Sequence, residues 1–283
     1  MLHLAHPLRD LRRAHLLATP FPEDWLGFLE ANVGHYRALS PAESARLRDD
    51  ARVFVAEKDW ESGGGLQISE EIRITIAAEA CLLLLGWDDA RRASLFPNVR
   101  TIIVYPGGFH AARERAEGPV RIADQAAELG EAWSSDLPVV LSWESALDGS
   151  ERADDGHNVI LHEFAHKLDM LNGRADGVPE LGGGGAYDDW ASVLSEEYAL
   201  LVHDAERGHK TLLDPYGATN EAEFFAVTTE AFFEKSVRLR DEKPRLYAVF
   251  QEFYRQDPAA RVETSAPAGR SAGADAEGSA KPR

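Results

Sequence analysis

The chain has 283 residues, enough for one large domain or two modest ones, with 44% hydrophobic and 28% charged residues, as in a soluble protein with a proper core. A formal net charge of -18 argues against binding to nucleic acid, because neutralising phosphates needs a surplus of Lys and Arg. The one cysteine, Cys81, excludes an intramolecular disulfide.

Reading from the N-terminus, Arg9 to Leu17 forms a short basic helix or arm, and residues 1–22 are expected to stand as such before the main domain. No secretory signal is legible there, because Pro7 and Asp10 interrupt any apolar run. Apolar residues then recur at helical spacing from Trp25 to Tyr36 and from Pro41 to Lys58. The second segment opens with an N-cap serine, Ser40, followed by Pro41 and by Glu43 at the third helical position. Gly63 to Gly65 marks a loop, and Ser69 caps a long buried helix that Gly86 stops after Leu85. Cys81 sits inside that helix as a core thiol, and Arg73 and Glu79 keep the run well short of a membrane span. The cytoplasm is the expected compartment.

Thr101 to Tyr105 and Pro138 to Ser142 have the short β-branched composition of buried strands, with a weaker third candidate at Val120 to Ile122. Asp154 to His157 reads as a turn into a helix from about Asn158 to Leu171, with Gly173 as its stop. Gly182 to Gly185 reads as a flexible, exposed loop that a lid would need. Further helices are expected over Trp190–Glu206, Glu221–Lys235 and Pro244–Gln256. From residue 263 the composition falls to Ala, Gly, Ser and Pro, the signature of a disordered tail.

Within the Asn158–Leu171 segment stands His162-Glu163-Phe164-Ala165-His166. Two histidines four apart on a helix share a face and can bind one ion. Val159, Ile160, Phe164, Ala165 and Leu168 supply an apolar side, leaving His162, Glu163 and His166 on the other. A glutamate between such histidines can take a proton from a metal-bound water, the task of the general base in a zinc peptidase. The bland alternative, a solvated helix face with incidental histidines, must accept the cost of crowding two imidazoles and a carboxylate without a partner.

A catalytic zinc needs a third protein ligand. His203, His209, Glu221, Glu223 and Glu230 all follow downstream. Spacing makes Glu223 and Glu230 rivals, since both share one stripe of a Phe-rich helix with Ala226. Tyr216, in the turn Asp214-Pro215-Tyr216-Gly217, is placed either to pack or to donate a hydrogen bond to a developing oxyanion.

These segments, with Val55-Ala-Glu-Lys58, Ile76-Ala-Ala-Glu-Ala-Cys-Leu-Leu-Leu-Leu-Gly86, Val104-Tyr-Pro106 and Gly156-His-Asn-Val159, resemble the Mlc titration factor A family of zinc peptidases. The resemblance spans roughly residues 10 to 262, and the stretch from Tyr216 to Glu223 is also similar to part of the catalytic domain of anthrax lethal factor. It implies an α+β, mainly helical, zincin-like peptidase domain over residues 23–262, with a small sheet packed against the metal-binding helix. It implies one Zn2+ on His162, His166 and Glu223, with Glu163 as general base and Tyr216 as transition-state stabiliser. Glu230 then becomes a supporting or packing residue. Asp169 either orients a ligand imidazole or serves as a helix-end charge.

The family is known for aminopeptidase-like cleavage of peptides and for binding the transcriptional repressor Mlc, which relieves repression of sugar-uptake genes. The first carries over through the site residues; the second does not, because no short motif for repressor binding is visible, and a repressor partner stays an open alternative. The competing reading is a non-catalytic regulatory protein that sequesters a transcription factor. A structural zinc site is disfavoured, since such sites use several cysteines. Neither a nucleic acid nor a membrane is expected as a direct partner.

Overall fold

A computed structural model describes residues 7–107, 138–181 and 184–265. The expected strand at Val120 to Ile122, and the tail from residue 266 onward, lie outside these residues. The fold is α+β and mainly helical, with one three-stranded sheet in the order β1 (Asp59–Ser62), β2 (Thr101–Tyr105), β3 (Val139–Ser142). All three strands are parallel, with Ser62 opposite Val104 and Val104 opposite Leu141. Parallel neighbours need long crossovers, and the Glu70–Leu82 helix lies in the first of them.

β2 and β3 follow from their composition: Ile102, Val104, Val139 and Leu141 are buried, alternating with half-buried neighbours. β1 has no such pattern. Its four residues are polar apart from Trp60, and pairing with β2 makes it a strand, beginning with the Asp59 N–H donated to the Arg100 carbonyl at 2.9 Å.

The expected helices form with small shifts at their ends. Ser40 and Glu43 make the reciprocal capping box at the start of Pro41–Glu57, and Ser69 caps Glu70–Leu82. One correction concerns the glycine run. The helix expected from Trp190 begins at Gly184 and continues to Glu206, so half of the supposed loop is helical, while Gly182 and Gly183 lie outside the described residues. A second concerns the tail: Pro258–Ser265 is helical and carries order past residue 262. The short helices Trp143–Glu151 and Ser236–Glu242 had no distinct sequence signal.

The Val159–Asp169 helix packs against β3 and the helices Glu70–Leu82, Trp143–Glu151 and Glu221–Glu234. It is therefore covered on both sides: only Val159 and Glu163 are half-buried, and the expected polar face is interior. Phe164 anchors it, edge-on to Phe96 at 4.8 Å and Phe54 at 5.7 Å between ring centroids. Burying one such ring contributes roughly 2–3 kcal/mol. A second aromatic cluster fixes the Glu221–Glu234 helix, where Phe225 meets Trp190, Phe250 and Phe253. The site lies between these two clusters. Cys81 is a buried core residue, and burial pushes its thiol pKa up.

Candidate metal centre

Asn158 starts the histidine helix. Its Oδ1 accepts the N–H groups of Ile160 and Leu161, both at 3.1 Å, satisfying donors that a helix start leaves open. Four residues on, His162 is fully buried and His166 is 6% exposed, with their Nε2 atoms 3.0 Å apart. Asn220 caps the other helix by accepting the Glu223 N–H at 2.9 Å. That places the Glu223 carboxylate in the first helical turn, where the dipole favours an anion.

Glu223 Oε2 lies 3.0 Å from His162 Nε2, and its Oε1 lies 3.5 Å from His166 Nε2. On the far side of the same imidazole, Glu230 Oε1 stands 2.6 Å from His162 Nδ1. A carboxylate only accepts, and both ring nitrogens of His162 face one; with a cation on the Nε2 side the ring proton belongs on Nδ1, toward Glu230, and the Nε2 lone pair faces His166 and Glu223. Three buried lone-pair donors then converge within 4.8 Å of one another, a set whose chemistry suits a cation. Donors about 2.0–2.1 Å from a tetrahedral zinc stand roughly 3.4 Å apart, close to the separations found here. His162, His166 and Glu223 are the described residues whose spacing could hold a metal ion. The donor set fits.

The two rivals on one stripe, Glu223 and Glu230, both address His162, on opposite ring nitrogens. Among the other candidates, Glu221 is exposed, His203 meets Arg207 at 2.8 Å, and His209 meets Asp204 at 3.0 Å. Tyr216 is half-buried, with its ring 6.3 Å from that of His162. The turn is held by Asp214, whose Oδ1 accepts the Tyr216 N–H at 2.8 Å. Glu163 is half-buried on the histidine helix. Asp169 Oδ2 accepts the Gly177 N–H at 2.9 Å, and burial raises its pKa to about 6.

Sequence reasoning anticipated Glu230 as a supporting residue but missed the acids near it, Glu79 and Glu234. The Asn158 N–H donates to Glu230 Oε2 at 2.7 Å, and its side-chain amide donates to Glu79 Oε2 at 3.4 Å. Burial pushes Glu79 up to about 8. Glu234 is pushed up to about 9 by burial first, then by repulsion from Glu79 and Glu230. The available signal was a lone glutamate inside the apolar Ile74–Leu85 run.

Residues 8–255 match the family described as glucose-regulated metallo-peptidase M90. An uncharacterised protein of Synechocystis is 36% identical over 250 residues, covering 88% of this chain and 90% of that protein. Mlc titration factor A of Salmonella agona is 31% identical over 243 residues, covering 82% and 86% respectively. The same protein of Salmonella typhi is also 31% identical over 243 residues.

Proposed function

We propose that this chain, which belongs to the glucose-regulated metallo-peptidase M90 family, is a zincin-like enzyme that hydrolyses peptide bonds in the manner of an aminopeptidase. The observation that carries this reading is the buried convergence of His162, His166 and Glu223, with Glu163 between the two histidines. These three would hold one Zn2+, which supplies a Lewis acid for the scissile carbonyl and lowers the pKa of a bound water. Glu163 takes the proton of the attacking water and returns it to the leaving amine. Tyr216 donates a hydrogen bond to the carbonyl oxygen as negative charge develops there. Glu230 holds the His162 ring so that Nε2 is the nitrogen offered to the ion.

An extended peptide would lie along β3, which among the described residues pairs on one side only, with β2. A Val140→Pro chain that cleaves peptides as well as wild type would exclude this dock. The decisive variant is Glu163→Gln, expected to keep its metal and to lose hydrolysis of chromogenic amino-acid amides. Persistent cleavage would remove Glu163 from the mechanism.

The name of these relatives, Mlc titration factor A, supports a second reading in which the chain binds the repressor Mlc; a cytoplasmic location would suit that role. Binding of purified Mlc by a wild-type chain that cleaves none of these amides would favour it. No helix among the described residues is long and apolar enough to cross a membrane.

A further inference from the structure

The geometry points to Gly177 and Asp169 as positioning residues that set where the third metal ligand stands, an inference resting on the metal-site reading above. Asp169 ends the histidine helix, one turn past His166, and is fully buried. Its Oδ2 accepts the Gly177 N–H at 2.9 Å, and the Gly177 carbonyl accepts the Trp190 indole N–H at 3.1 Å. On its remaining side Gly177 rests on Glu221, the first residue of the helix that carries Glu223. A single residue thus connects the end of one ligand helix to the start of the other.

Nothing but glycine suits that position. Its φ of +72° is left-handed, and a Cβ there would meet the Glu221 carbonyl oxygen at 2.4 Å and carbonyl carbon at 2.9 Å. Those atoms are backbone and cannot rotate away. Trp190 blocks retreat on the other side, since its ring is 2% exposed and stacks on Phe250 at 5.2 Å. A side chain at 177 must therefore displace either the start of the Glu223 helix or the turn around 177 that Asp169 and Trp190 hold in place. Metal–donor distances tolerate shifts of about 0.2 Å, so a displacement too small to unfold the chain is enough to weaken the ion's hold. Asp169 acts here through its oxygen as an acceptor, not through its charge on His166.

The test is zinc affinity of the full chain, measured by competition with a chromophoric chelator, alongside the visible spectrum of the Co2+ form. Wild type is expected to bind one zinc. Gly177→Ala and Asp169→Ala are each expected to weaken binding about tenfold or more and to alter the cobalt spectrum, with helix content unchanged. Asp169→Asn, which keeps an oxygen for the Gly177 N–H, is expected to bind within about threefold of wild type. Leu29→Ala, a remote core truncation, is expected to lower Tm without changing zinc affinity.

If wild type binds zinc and Gly177→Ala binds it equally well, the inference fails while the site reading stands. It also fails if Asp169→Asn loses as much affinity as Asp169→Ala, or if Leu29→Ala loses as much as Gly177→Ala. Failure of wild type to bind zinc overturns both the inference and the site reading. Should the glycine variant not fold, the Asp169 pair decides.

Discussion

His162 Nδ1 lies 2.6 Å from Glu230 Oε1, a contact between residues 68 positions apart that turns the Nε2 edge of the imidazole toward His166 and Glu223. The same Glu230 carboxylate takes the Asn158 N–H at the start of the histidine helix, so ring orientation and helix origin are held together.

Glu230→Gln should therefore weaken zinc binding by about 10–100-fold, because an amide holds the ring less firmly and no longer raises its basicity. Chelator competition measures the loss. Unchanged affinity would mean that His162 is oriented by packing alone.

Zinc at a hundredfold excess over its Kd should stabilise the fold by about 2.7 kcal/mol, a rise in Tm on the order of 5–10 °C for a chain of this size. A chelator should reverse it, and Glu223→Ala should abolish it. Differential scanning fluorimetry reads all three. The same zinc-induced rise in Glu223→Ala would move the ion away from this cluster.

The buried acids behind the site make stability depend on pH. Glu79 is raised to about 8 in the fold, from an ordinary value near 4.5, by burial. The unfolded chain releases this proton above pH 4.5 while the folded chain keeps it until about 8. The contribution is whole below the lower value and is lost across that window as pH rises, by up to about 1.4 kcal/mol per unit. Asn158 donates to Glu79, and Glu234 stands near both Glu79 and Glu230; its raised pKa makes stability fall in the same direction as pH rises. Glu79→Gln keeps an acceptor for Asn158 and removes the proton, so its urea midpoint should fall less than that of wild type between pH 5 and 8. Parallel curves would show that Glu79 is ionised in the fold.

Tyr216→Phe should lower kcat about 10–100-fold with little change in KM if its hydroxyl meets charge that appears only in the transition state. A change confined to KM would make it a substrate-binding residue instead.

The local features of this protein are legible in its residues. The i, i+4 histidine pair, the caps at Ser40 and Ser69, and the β-branched runs of β2 and β3 depend on near neighbours, and near neighbours are what a sequence displays. The Phe-rich helix that carries Glu223 was readable as a candidate too, because glutamates among phenylalanines are out of place without a counter-charge.

What waited for the tertiary structure is every feature that depends on distant chain. β1 is a strand only because β2 lies beside it, and Gly184 is helical although glycine runs ordinarily break helices. The division of labour between Glu223 and Glu230 needed the His162 ring between them, and the importance of Gly177 needed Glu221 against it. Helix periodicity tells which residues share a stripe, but only the packing of one helix on another decides which atom that stripe meets.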